Sequence, residues 1–137
     1  SGHMFFGERW YGFDDGMYAA ARLAEILSTH GDSLDATIAE FPATVNTPEI
    51  LIPVEENYKF ALMDKIVRNC DFSGGKINTM DGIRVDFTDG WGLVRASNTS
   101  PALTARFEAD SRESLDTIMA EFRAQISLVE PDLELNF

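Results

Sequence analysis

The sequence predicts an α+β domain: an antiparallel sheet of four to five strands with two helices packed on one face, preceded by a helical tail that belongs to another domain. Three observations carry this. After residue 46 the patterns run strand, helix, three or four meandering strands, helix, and two apolar helical stripes can cover one face of such a sheet. The first 45 residues carry helical patterns and no strand pattern to bury them against. Between the two lies FPATVNTPE, with two prolines and little periodicity, which reads as a linker. Residues 1–45 and 46–137 are therefore expected as separate units, with a hinge-like boundary near 42–48.

Asp14 and Asp15 precede MYAAARLAEILST, and acids suit a helix N-terminus. Met17, Ala20, Ala21, Ala24 and Leu27 would share one face. A short helix is expected from Ser33, as its cap, to Phe41. ILIPVE reads as a strand, with Pro53 pointing to an edge or an irregularity. NYKFALMDKIVRNC is an amphipathic helix with Phe60, Met63, Ile66, Val67 and Cys70 inward. INTM and IRVDF flank Asp81-Gly82, a hairpin-type pair, and Thr88-Asp89-Gly90 makes the next turn. WGLVRAS and ALTARFEAD are the last strands. In the second, Leu103, Ala105, Phe107 and Ala109 alternate inward, leaving Thr104, Arg106 and Glu108 on the other face. Arg106 is expected to pair with Glu108 or Asp86, the alternative being an approach to an anion held by the turn at 95–101. Asp110 and Glu113 resemble a capping box for a helix striped by Leu115, Ile118, Met119, Phe122, Ile126 and Val129, which Pro131 stops.

The 137 residues are 45% hydrophobic, enough for a packed core. No apolar run approaches the ~20 residues of a membrane span, and no secretory signal is visible. One cysteine, Cys70, excludes an internal disulfide and fits a reducing cytoplasm. A formal charge of −12 argues against a nucleic-acid partner, whose phosphates call for basic residues. An acidic chain that binds phosphate must do so through a local cluster.

RASNTSP, residues 95–101, is such a cluster. Arg95 can offer a bidentate charged fork. The hydroxyls of Ser97 and Thr99, the Asn98 amide and the turn's N–H groups can complete an anion cradle. The residues leave two readings open, a phosphate-holding turn or a solvated β-turn with a surface arginine. Elsewhere, His30 reads as an exposed turn residue, and Trp10 and Trp91 as packing or hinge residues.

RASNTSP between WGLV and RFEAD resembles the C-terminal domain of the α-D-phosphohexomutases, closest to the bacterial phosphomannomutase/phosphoglucomutase branch. SGHMFFGERWYGFDDGMYAAARLAEIL resembles the segment after that family's sugar-recognition loop in the third domain. TPEI at 47–50 and TMDGIRVDF at 79–87 agree, and the likeness covers essentially the whole chain in the family's order. The phosphoglucosamine mutase branch usually has Gly-Thr-Glu-Pro where this chain has Asn98-Thr99-Ser100-Pro101.

The resemblance implies an intramolecular phosphotransferase, an isomerase interconverting hexose 1-phosphate and hexose 6-phosphate of mannose or glucose. Its parent enzyme would have four domains around one cleft and work as a cytoplasmic monomer without membrane or nucleic acid. A phosphoserine loop and an Asp-rich Mg2+ loop would sit in earlier domains. Neither motif occurs in this chain, so the chain alone is expected to be inactive and to bind no cofactor. Its partners would be the hexose phosphate and the other domains of the parent chain. Residues 1–45 would be the tail of the sugar-binding third domain and 46–137 the phosphate-binding domain. Arg95, Ser97, Asn98 and Thr99 would clamp the phosphate that is not transferred. Ser1 would be a sugar-hydroxyl ligand and His3 a catalytic proton shuttle, if SGHM is native rather than the remnant of a cleaved tag. A different class remains open, a non-catalytic α+β ligand-binding or protein-interaction module.

Overall fold

The computed structural model describes residues 2–31 and 33–137. These fall into two compact units, one ending at Ala43 and one spanning Thr44–Phe137.

The first unit holds α1 (Gly16–His30) and α2 (Leu34–Ala39). Asp15 alone caps α1, accepting from the backbone N–H of Met17 and Tyr18, both at 3.0 Å. Asp14 pairs instead with His3. Gly31 ends α1 in the left-handed conformation that lacks a Cβ penalty, at φ +75°. Ser33 caps α2. An aromatic group gathers on α1: Trp10 stacks on Tyr18 at 4.3 Å, and Phe6 meets the same ring edge-on. Arg9 grips Glu25 through two bonds of 2.9 and 3.0 Å. No described residue up to Ala43 is buried, and Met17, expected inward, is 85% exposed.

The second unit is an α+β layer. Its strands are β1 (Val45–Asn46), β2 (Ile50–Pro53), β3 (Lys76–Asn78), β4 (Ile83–Asp86), β5 (Gly90–Ala96) and β6 (Ala102–Ala109), all antiparallel. The path runs β1-β6-β5-β4-β3, and β2 also pairs with β6. Helices α3 (Lys59–Asn69) and α4 (Arg112–Val129) pack on β5 and β6. Val45 lies opposite Ala109, so the segment read as a bare linker contributes a short strand. Thr47 explains it: its N–H donates to the Phe107 carbonyl and its hydroxyl oxygen accepts from the Phe107 N–H.

Side chains alternate along β5 and β6. Val94, Leu103, Ala105 and Phe107 point into the core under the helices, with Phe122 of α4 against the rings of Phe72 and Phe107. Gly92 makes room for that ring, since a Cβ there would lie 2.5 Å from the Phe122 side chain. The opposite face presents Arg84, Trp91, Arg95, Thr104 and Arg106. Arg84 lies 4.2 Å over the Trp91 ring and binds Asp86.

Three local expectations are corrected. Asp86 pairs with Arg84, and Arg106 has no ion-pair partner among the described residues. The cap of α4 is Ser111, which accepts from the Ser114 N–H at 3.1 Å. Asp110 lies just beyond β6, its N–H donating to the Asp89 carbonyl. The inward stripe of α3 is Lys59, Leu62, Met63 and Ile66, whereas Phe60 is 55% exposed. Those four follow the helical i, i+3, i+4, i+7 spacing once a lysine is allowed on the buried face.

Candidate functional site

The candidate site is the five-residue turn 97–101 between β5 and β6, with Arg95 two residues upstream. It exists because β5 and β6 are paired up to Ala96 and Leu103, and the Ser97 N–H then donates to the Ala102 carbonyl at 3.0 Å.

Ser97 organises the turn from within. It is only 6% exposed. Its hydroxyl oxygen accepts from the N–H groups of Thr99 and Ser100 at 3.3 and 3.2 Å, and it lies 2.7 Å from the Ser100 hydroxyl. This is a serine-centred turn, in which a side chain replaces a backbone acceptor. Asn98 and Thr99 are exposed at the rim. Among the described residues their side chains have no hydrogen-bond partner. The rim therefore offers an amide and a hydroxyl, while Ser97 is largely committed to the turn's own shape.

Arg95 leaves β5 on the face away from the helices, opposite Thr104. Its guanidinium is one-third exposed and meets Asp81 at 3.2 Å, a carboxylate that is 66% exposed. Asp81 reaches it because Gly82 packs flat against β5. Gly82 has φ +81°, and a Cβ there would fall 2.2 Å from the Val94 carbonyl oxygen and 2.7 Å from the Arg95 Cα. Only glycine tolerates both the left-handed backbone and that approach. The Asp81-Gly82 pair is thus a brace for Arg95 as well as a hairpin turn.

Two participants escaped the sequence reading. Ser100 shares the hydroxyl pair with Ser97. Lys59, at the start of α3, reaches under the turn and donates from Nζ to the Ser100 carbonyl at 3.0 Å. A lysine on an amphipathic helix normally reads as solvent-facing, which is why its signal was missed.

The other expected site residues lie in the first unit. His3 is exposed and paired with Asp14. Ser1 lies outside the described residues. Cys70 is half-buried, and burial pushes its thiol up to about 11, away from nucleophilic use near neutrality. Among the described residues no three His, Cys, Asp or Glu side chains gather as a metal-ligand set. The Mg2+ that the family resemblance implies therefore has no fit to the described residues, and no chemistry is routed through it. A shallow groove between the β4–β5 turn and α4 is lined by Asp89, Glu113 and Glu121, carboxylates that would repel a phosphate. Among the described residues no helix is long and apolar enough to cross a membrane.

The second unit is thus an α+β domain, a sheet with helices on one face and this polar turn, and a separate helical unit precedes it in sequence. The family model described as "Phosphoglucomutase/phosphomannomutase, C-terminal domain" matches residues 49–125, and that for "alpha/beta/alpha domain III" matches residues 1–45. The chain belongs to the phosphoglucomutase/phosphomannomutase family. It is 53% identical over its whole length to a phosphomannomutase/phosphoglucomutase of Pseudomonas putida, covering 30% of that relative. It is 46% identical over 128 residues to a phosphoglucomutase of Neisseria meningitidis, covering 92% of this chain and 28% of the relative. A crystal structure of a phosphoglucomutase/phosphomannomutase family protein from Burkholderia thailandensis superposes with a TM-score of 0.88 at 42% identity, over 99% of this chain and 28% of the other. The chain thus spans under a third of the length of these relatives.

Proposed function

We propose that residues 46–137 are the phosphate-clamp domain of a parent enzyme that interconverts hexose 1-phosphate and hexose 6-phosphate of mannose or glucose. Residues 1–45 are then the tail of its sugar-binding domain. The observation that carries this reading is the turn itself. In a chain of net charge −12, Arg95 is braced beside a rim of unpartnered donors, and an inner serine fixes the rim's shape.

In this role Arg95 supplies the charged fork. Asn98 and Thr99 donate from the rim, and Ser97 holds the N–H groups of Thr99 and Ser100 in place. The clamp does no bond making. It anchors the phosphate remote from the reacting one, which orients the sugar and supplies binding energy usable in the transition state. Asp81 is a stand-in anion that an incoming phosphate must share or displace.

His3 would serve as proton shuttle and Ser1 as a sugar ligand. Support comes from the match of residues 1–45 to the family's third-domain model, a range that includes SGHM. The parent enzyme is read as cytoplasmic, monomeric and magnesium-dependent, with the metal held by domains that this chain does not include.

Arg95→Ala in the full-length enzyme tests the clamp. The loss of a charged hydrogen bond, ~1.5–3 kcal/mol, should raise KM for glucose 1-phosphate roughly tenfold to 150-fold. Arg95→Lys should restore only part of it, because an ammonium lacks the planar fork. Wild-type kinetics in a folded Arg95→Ala enzyme would return the turn to an ordinary polar loop.

A further inference from the structure

Lys59 sits where helix energetics disfavour it. It is the first residue of α3, at the positive end of the helix dipole, where no side chain caps the helix and an ammonium is disfavoured. Its side chain is 1% exposed, so the charge has lost almost all its water. A methionine or leucine could fill the same space without either cost.

Its two partners are unequal. Glu56 lies 2.7 Å away but is 60% exposed, so part of its charge is screened by solvent. The inner partner is the Ser100 carbonyl, which also accepts from the Ala102 N–H at 2.8 Å. That carbonyl has a backbone partner already. The ammonium takes up its remaining lone pair and draws the Ser100 carbonyl inward from the turn that carries Ser97, Asn98 and Thr99. A turn that receives a dianion must present donors and hide acceptors, because a carbonyl oxygen facing a phosphate repels it.

We propose that Lys59 is a positioning residue for the phosphate turn: it turns the Ser100 carbonyl away from the anion and places a buried positive charge beneath the donors. It does not touch the substrate. The inference rests on the clamp reading given above, and the two can fail separately.

The test is kinetic, in the full-length enzyme, with Lys59→Met beside Arg95→Ala. Lys59→Met should raise KM for glucose 1-phosphate about tenfold, the loss expected for one charged contact, with kcat changed less than KM. A purely structural lysine would lower the unfolding midpoint and the amount of active enzyme, yet leave KM of the folded fraction at the wild-type value. If Arg95→Ala raises KM and folded Lys59→Met does not, Lys59 has no positioning role and the clamp stands. If Arg95→Ala leaves KM unchanged, the clamp reading fails and takes this inference with it. Should Lys59→Met not fold, the wild-type enzyme with 15N-labelled lysine and backbone answers the question. Its Lys59 Nζ resonance should shift with the amides of Asn98 and Thr99 as glucose 1-phosphate is added. Loop amides that move while Nζ stays still overturn the proposal.

Discussion

Arg95 and Asp81 form an exposed pair of the kind that contributes little to folding. Its interest is competition, because the carboxylate occupies the fork that a phosphate would use. Asp81→Asn should therefore tighten phosphate binding, by at most about fivefold if the pair contributes up to ~1 kcal/mol. The KM for glucose 1-phosphate in the full-length enzyme reads this directly. A KM that rises instead assigns Asp81 the opposite task, holding the fork at the correct angle. Ser97 carries a related lesson. The sequence placed it in a turn expected to hold an anion, but its burial was not legible. The distinction between a serine that touches a ligand and one that shapes the turn depends on where two N–H groups point, and composition does not encode that.

At the scale of elements, most of the second unit was legible because periodicity records burial. The stripe Leu115, Ile118, Phe122, Ile126 on α4 is fully inward, and β6 alternates from Ala105 to Ala109, whereas its first four residues, Thr104 included, are all buried. Two failures share one physical cause: a polar group satisfied by a partner distant in sequence. Val45–Asn46 became a strand because Thr47 bonds Phe107 across the sheet. On α3, Met63 and Ile66 are inward as read, with Val67 and Cys70 packed against the core, but Phe60 was read in place of Lys59, a polar residue that occupies the buried start. The start and middle of α3 also meet the end of α4 through Glu130, which accepts from Lys65 at 2.8 Å and from the Tyr58 hydroxyl at 3.0 Å. The bond from Lys65, then that from Tyr58, holds the Glu130 carboxyl below its ordinary range. A carboxyl depressed by folding stabilises the fold above its unfolded pKa, and this is lost as pH falls through the lower folded value. The acid limb of a melting-temperature profile should therefore be shallower in Glu130→Gln than in the wild type. Parallel profiles below the carboxylate range would show that the bond contributes nothing to folding.

At the scale of the whole molecule, the two units differ in what holds them. The second has a continuous core of buried side chains from Ile52 to Phe137. The first has stacked rings, ion pairs and caps, and no buried residue among those described. Stability follows buried apolar area, so amide exchange should divide the chain near Ala43. Amides of β5, β6 and α4 should exchange only through global unfolding, and those of α1 and α2 much sooner. Uniform protection across both units would show that they unfold as one body.

The shared edge of β6 bears on the order in which the molecule assembles. β5 and β6 are joined by residues 97–101 alone, so their pairing closes a short loop. β2 reaches the same strand from about fifty residues away in sequence, and the bond from Lys59 to Ser100 also bridges a separation of 41. Loop-closure entropy places local pairings before distant ones. The turn therefore forms early as a loose hairpin and acquires its final carbonyl orientation only when α3 docks. Its final shape is a late product of folding, so destabilising α3 should weaken the turn before it weakens the hairpin that carries it.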